Sequence, residues 1–201
     1  DPKWFAGKSV AIIGGADSVL EEKNGHYIDS FDVVVRVNNG VRCLKTQEDF
    51  VGRRTDFLVH SFFNREADPG SSPVEPELWR RHKVGKIIFA RNFLNSDYAL
   101  INAKDFLEKT KFEVPFSMPD TGLDKKIRAV VAPCGPTTGF SAIMMVKLSK
   151  PKQMFVTGFT FMETPSNKTY RDIDSSHVRK VAIKGSHDFK AELASFRKAY
   201  E

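Results

Sequence analysis

The chain is 201 residues long, 41% hydrophobic and 28% charged, a composition that supports a hydrophobic core and excludes a disordered or fibrous polypeptide. Lysine and arginine outnumber aspartate and glutamate 31 to 25, and the resulting +6 favours anionic partners. The basic residues are scattered (Arg53-Arg54, Arg80-Arg81, Lys125-Lys126, Lys150, Lys152), without the aromatic-basic alternation of a single-strand binder, so no nucleic-acid partner is expected.

Val10-Ala11-Ile12-Ile13 is a continuous apolar run of the kind a central parallel strand needs, and Gly14-Gly15 ends it. Ser18 and Glu21 fit an S-x-x-E capping box and Asn24-Gly25 a left-handed stop, which predicts a helix of barely two turns between them. Strand, glycine turn and helix start in succession either suit a phosphate at Gly14 and Gly15 or form an ordinary connection. The β-branched run Phe31–Val37 is a second strand, and it ends at Asn38-Asn39-Gly40. That places two amides at the edge where open α/β sheets bind ligands, although asparagine also serves turns for local reasons. A third strand covers Thr55–Ser61, a loop insertion rich in Pro, Gly and Ser covers about 62–76, and Trp79 lies on a short helix beyond it.

Lys86–Arg91 reads as a fourth strand and Asp97–Lys109 as a helix with Leu100, Ile101, Phe106 and Leu107 as its apolar stripe. Glu113–Pro119 is extended or looped, and Ala129–Ala132 is another strand. Pro136 then starts a helix running to about Lys150, with Thr137, Thr138 and Gly139 in its first turn, where they bind an anion or cap the helix. Phe140–Leu148 is apolar nearly all round and must be buried. Gln153–Phe159 is the next strand, again closing on a glycine, Gly158. Ser186-His187-Asp188 precedes a C-terminal helix whose positive end disfavours imidazolium, so His187 is either a neutral proton acceptor or an exposed residue at a helix start. The alternation of elements predicts an α/β fold: a Rossmann-like, mostly parallel sheet with helices on both faces, forming one domain over residues 1–201.

Cys43 and Cys134 form no C-x-x-C pair and stand near no histidines at zinc spacing, so neither a metal site nor a disulfide framework is expected. No run approaches the roughly 18 apolar residues of a membrane span, and the N-terminus lacks a signal-peptide core. A cytoplasmic protein is the expectation, or a Golgi-lumenal one if an anchor lies outside this segment. The first residue is not Met and AELASFRKAYE reads as a helix still in progress, so the sequence is compatible with a part of something longer.

Taken together, these segments resemble the sialylmotifs of the animal-type sialyltransferase family. Ser9–Arg54 resembles the long motif, through Ile28-Asp29-Ser30-Phe31-Asp32, Arg36-Val37-Asn38 and Val51-Gly52-Arg53-Arg54-Thr55. Gly135-Pro136-Thr137-Thr138-Gly139 through Thr157-Gly158-Phe159 resembles the small motif, and His187 with Glu192 matches the H-x4-E motif. The resemblance implies inverting, metal-independent transfer of a sugar acid from a cytidine monophosphate donor to a glycan or glycolipid hydroxyl, with no cofactor beyond the donor. It assigns the nucleotide to Asn38, Thr137, Thr138 and Gly139, with Asn39, Gly158 and Phe159 beside them, and the general base to His187. The family's second histidine, which steadies the departing phosphate, has no clear counterpart; His177 is preferred over Tyr170. The family's phosphate-binding asparagine falls at Gly15, and the cysteines that bridge the long and small motifs are absent, with Ser9 and Pro151 near those positions. Sialic acid and Kdo are both 2-keto sugar acids activated with CMP, so both stay open as donor. A non-catalytic nucleotide-sugar-binding module is the rival reading. A dinucleotide oxidoreductase is disfavoured, because Arg36 and Asn38 stand where an acidic residue is wanted.

Overall fold

The computed structural model describes residues 4–65, 68, 70–171 and 186–200, the last two by backbone alone. Six strands form one sheet in the order β5-β4-β3-β2-β1-β6, every pairing parallel: β1 Ser9–Ile13, β2 Val33–Val37, β3 Phe57–His60, β4 Lys86–Phe89, β5 Phe116–Ser117 and β6 Gln153–Thr157. The α/β expectation therefore holds. Strands β2 to β5 succeed one another on one side of β1, whereas β6 returns to its other side, with Ile12 registered on both Val35 and Val156. The sheet order reverses at β1. In open parallel sheets a ligand crevice lies outside the carboxyl ends of the strands at that reversal.

The helices are α1 Gly25–Asp29, α2 Glu48–Val51, α3 Pro76–Arg81, α4 Asp97–Lys109, α5 Thr121–Ala129, α6 Thr138–Leu148 and α7 Phe189–Tyr200. Helix α6 packs across β1, β2 and β3, and its residues from Phe140 to Val146 are all buried, as a sequence apolar nearly all round requires. Among the described residues no helix is long and apolar enough to cross a membrane.

Several local expectations change. Ser18 and Glu21 form no capping box: Asp17–Leu20 is a 3₁₀ turn without a side-chain cap, and the chain becomes helical at Gly25 instead of stopping there. A Cβ on Gly25 would lie 2.1 Å from the Glu48 carbonyl oxygen, so this glycine is required by the contact of α1 with α2. Ala129–Ala132 is not a strand. Ala129 is the last residue of α5 and Val130–Ala132 form the turn after it; Asp120 caps this helix by accepting from the Leu123 amide at 2.9 Å, and its buried side carries Ile127. On α4 the buried side is Ala99, Asn102, Ala103 and Phe106, while Leu100 and Ile101 are 51% and 55% exposed. Helix α6 starts two residues past the expected Pro136, at Thr138, with Thr137 as its cap.

The long motif has a structural explanation in Arg36, whose side chain is fully buried at the end of β2. Its Nε donates to the Arg54 carbonyl and Thr55 Oγ1, and its Nη2 to the Val51 and Gly52 carbonyls at 2.6 and 3.2 Å. Burial pushes its pKa down to about 10, against the pull of Cys43, Asp29 and Asp56. Asp29 accepts from the amides of Arg53 and Arg54, and Arg54 Nη1 donates to the Asp29 and Phe31 carbonyls. Residues 28–32, 36 and 51–55 are thus one hydrogen-bonded cluster that fixes the β2–β3 connection. They lie close in space because each supplies what another, once desolvated, needs.

Candidate active site

The carboxyl ends of β1, β2 and β6 meet the starts of α6 and α7. Gly158, at φ +71°, lies so close to Gly14 that a Cβ on Gly14 would sit 2.1 Å from the Gly158 carbonyl oxygen. The amides of Gly14 and Ala16 donate to the carbonyls of Thr157 and Gly158, whereas the Gly15 N–H makes no hydrogen bond among the described residues. Gly15 packs under Tyr170, with 2.4 Å from an added Cβ to the ring. Phe159 packs in the same way on Gly139, 2.7 Å from an added Cβ. Of the expected binding residues, Gly14, Gly158 and Phe159 are therefore occupied in holding the crevice's walls together.

Asn38 adopts a left-handed conformation, φ 43°, and its Oδ1 accepts from the Ser61 amide at 2.9 Å, tying the end of β2 to the end of β3. Tyr170 is buried, and burial raises its pKa against the opposing influences of Arg171 and the Asn38 side chain. The segment carrying Tyr170 is pinned by Asn167, whose Nδ2 donates to Gln47 Oε1 at 2.7 Å and whose amide donates to the Gly15 carbonyl. Asn39 is buried, and its Oδ1 has no partner among the described residues.

At the start of α6, Thr137 has two partners. Its Oγ1 accepts from the Phe140 amide at 3.1 Å and donates to Glu192 Oε2 at 2.8 Å, while its own amide donates to Glu192 Oε1 at 2.6 Å. This hydroxyl is thereby committed to the protein, and the anion-binding capacity of the turn rests on the amides of Thr138 and Gly139 in the first turn of an 11-residue helix. Glu192, 1% exposed, is the glutamate of H-x4-E, and it anchors α7 to the small motif without touching the histidine ring.

His187 precedes Asp188, the cap of α7, whose Oδ1 accepts from the Ala191 amide at 2.9 Å. Its Nδ1 lies 2.6 Å from the Gly135 carbonyl oxygen, and the Gly135 amide donates back to the Ser186 carbonyl. A carbonyl only accepts, so Nδ1 carries the proton and Nε2 presents a lone pair. Burial lowers the imidazole pKa, Arg91 lowers it further, and the bond to Gly135 opposes both. His177, the other catalytic candidate, lies outside the described residues. His60, at the end of β3, accepts at Nδ1 from the Phe62 amide, and burial holds its pKa down to about 3, so it is a neutral packing residue.

Arg91 was not expected here. Two residues past β4, it donates from Nη2 to the Pro136 carbonyl and lies within the electrostatic reach of both His187 and Glu192. In the sequence it is an unremarked arginine after KIIFA; only the pairing of β4 with β3 brings it to the crevice.

Burial pushes the Glu192 carboxyl up to about 7, overcoming the two bonds from Thr137 and the charge of Arg91. A group with a raised folded pKa stabilises the fold fully below its unfolded value, and that contribution is lost as pH rises through the folded one. Stability is therefore expected to fall between about pH 4.5 and 7, and Glu192→Gln, which mimics the protonated acid, is expected to flatten that part of the curve. Urea unfolding of both proteins across this range measures it; parallel curves would mean that Glu192 ionises as freely in the folded chain as in water.

Residues 6–117, more than half of the chain, match the family model described as glycosyltransferase family 29 (sialyltransferase). No curated protein sequence matches the chain. Among solved structures, a mammalian sialyltransferase is similar with a TM-score of 0.58 at 17% identity, over 94% of this chain and 64% of that one. A mammalian sialyltransferase in complex with Gal-β-1,3-GalNAc-ortho-nitrophenol gives 0.52 at 15% identity, over 92% and 70%. The sialyltransferase CstII from Campylobacter jejuni, in complex with cytidine-5′-monophosphate, gives 0.49 at 13% identity, over 90% and 77%. At these identities the first two likenesses bear on the fold, and the present chain spans 64% of the first structure's length.

Proposed function

The chain belongs to glycosyltransferase family 29, and from that premise we propose that it transfers a 2-keto sugar acid, sialic acid in the first instance, from a CMP donor to a glycan or glycolipid hydroxyl. The transfer inverts the anomeric centre and uses no metal or further cofactor. The observation that carries the reading is His187: a ring fixed by Gly135 at 2.6 Å, kept neutral by burial, with Nε2 left to accept a proton at the carboxyl edge of the sheet.

Each residue has a definite part. The cytidine phosphate lies against the Gly15 amide and the amides of Thr138 and Gly139, where the helix dipole favours negative charge. Asn38, oriented by the Ser61 amide, contributes its own side-chain amide to the nucleotide, with Asn39 behind it. As the acceptor oxygen bonds to the anomeric carbon, His187 Nε2 takes its proton; the bond from that carbon to the phosphate oxygen breaks, and CMP leaves with the electron pair. The same amides offset the charge growing on the departing phosphate, which is electrostatic stabilisation by groups already in place. Attack from the face opposite the phosphate gives the inversion.

Cys43 is buried, with its pKa raised to about 11 by that burial, and neither it nor Cys134 is in a disulfide. Both suit a cytoplasmic or other reducing compartment. The nucleotide preference is testable without an acceptor. CMP is expected to raise the melting temperature, by about 2.7 kcal/mol of added stability at 100 times its dissociation constant, whereas NAD is expected to leave it unchanged. Stabilisation by NAD without CMP would overturn the proposal. Hydrolysis of CMP-sialic acid against CMP-Kdo then identifies the donor.

A further inference from the structure

A shallow cleft of about 280 Å³ opens against the turn leading into α6, lined by Asn95, Lys125, Arg128, Ala132, Pro133 and Cys134. It ends one residue short of Gly135, whose carbonyl holds His187. Arg91 stands at the same place: a Cβ on Gly135 would lie 3.8 Å from its Nη1, and its charge interacts unfavourably with that of Arg128. Lys125 and Arg128 thus line the cleft, and Arg91 links it to the candidate base, acting on both Arg128 and His187. Among the described residues none of the three makes an ion pair. The neighbouring carboxylates are engaged elsewhere. Asp124 is buried and accepts from Asn95 Nδ2 at 2.6 Å, and Glu192 is taken up by Thr137. Both draw on Arg91 without reaching it as a salt bridge. A larger cleft of about 670 Å³, between Trp4 and Pro119 along β5, carries no comparable charge.

A cluster of like charges around a solvent-open cleft is unfavourable when empty and is relieved by a bound anion. We propose that this cleft binds an anionic group, a carboxylate or a phosphate, carried by the acceptor. The inference rests on the proposed function in one respect. That reading gives the donor nucleotide to Asn38, Thr138 and Gly139, none of which lines the cleft, so the anion here is not the donor phosphate. Of the two carboxylates left, the donor sugar's and the acceptor's, we take the acceptor's, and a KM rise confined to the donor would assign the cleft to the other. The substrate class that follows is an already acidic glycan or glycolipid rather than a neutral one.

The test compares a neutral galactoside with the same galactoside bearing a carboxylate on its adjoining sugar, and with inorganic phosphate as the minimal anion. Binding is read from the amide NMR shifts of residues 95 and 125–134, and initial rates are measured with the CMP donor. The acidic glycan is expected to shift those amides, to bind more weakly as salt rises, and to show the lower KM. K125E/R128E should raise that KM and weaken that binding by about 10-fold or more, whereas K126E/K152E, an equal charge change at exposed positions outside the cleft, should not. Equal binding of neutral and acidic glycans, an equal effect of the two double variants, or a KM rise confined to the donor would overturn the inference. Melting curves check that both variants fold, and K125E alone, at an exposed position, repeats the comparison if the double variant does not. If wild type transfers nothing yet binds the acidic glycan here and loses it in K125E/R128E, the transferase reading fails and the cleft stands.

Discussion

His187→Ala is expected to reduce sugar transfer by about 10²-fold or more while leaving CMP affinity within about a few-fold of wild type. The separation follows from the site's construction. The imidazole is held through Nδ1 by a carbonyl of the small motif, and none of its bonds runs to Asn38 or to the amides that open α6. Removing it deletes the proposed proton acceptor and spares the residues proposed to hold the nucleotide. The pH profile gives a second readout. A base works only when unprotonated, so activity falls as pH drops through the folded pKa, and burial with Arg91 puts that fall below the ordinary value of 6.5. Arg91→Gln removes one of the two depressing influences and should move the acid limb upward. Near-normal transfer by His187→Ala would place the base elsewhere, with His177 the next histidine to replace.

The largest loss of stability is expected at Arg36. Arg36→Ala strands the carbonyls of Val51, Gly52 and Arg54 together with Thr55 Oγ1, in a place with no solvent to replace the guanidinium. Each buried group left unpaired costs about 1–3 kcal/mol, and part of this is offset because the desolvated charge, whose Nη1 has no partner among the described residues, disappears as well. A net loss of at least about 3 kcal/mol in urea unfolding is the expected result. Arg36→Met, which fills most of the volume without donating, separates packing from hydrogen bonding: if it restores stability, the carbonyls matter little and the cluster is held by its shape.

Much of the architecture is legible in the sequence because the central strands are apolar runs, broken in β2 only by Arg36. Val10–Ile13 and Val33–Val37 are buried on both faces and admit no other reading, and the apolar circumference of Phe140–Leu148 demands a place under the sheet. What misled the reading was local. Ser18 and Glu21 have capping-box spacing, but the 160s segment crosses just there, Asp17 Oδ1 accepting from Thr164, and the turn closes on that segment. AVVA is β-branched in composition, yet Asp120 three residues before Leu123 is the stronger signal, because its side chain caps the helix that ends there. Of the candidate site, His187 and the start of α6 could be found from motif spacing. Arg91 could not, because nothing in its neighbours marks it, and neither could the capture of Thr137 by Glu192, a contact across 55 residues.

The three glycine contacts, Gly14 with Gly158, Gly15 with Tyr170 and Gly139 with Phe159, carry a warning for anyone hunting inactive variants by random mutagenesis. Any side chain added at Gly14, Gly15 or Gly139 strikes a carbonyl or an aromatic ring at under 3 Å. Clones altered there will score as null, and their clustering along the crevice will look like a map of ligand contacts. They will in fact report chains that never reached their native abundance. A selection on the proposed transfer therefore has to count folded molecules alongside product, for instance through a C-terminal fluorescent reporter, and keep only variants that are dim in turnover and bright in amount. By that criterion the glycines drop out, and His187 remains.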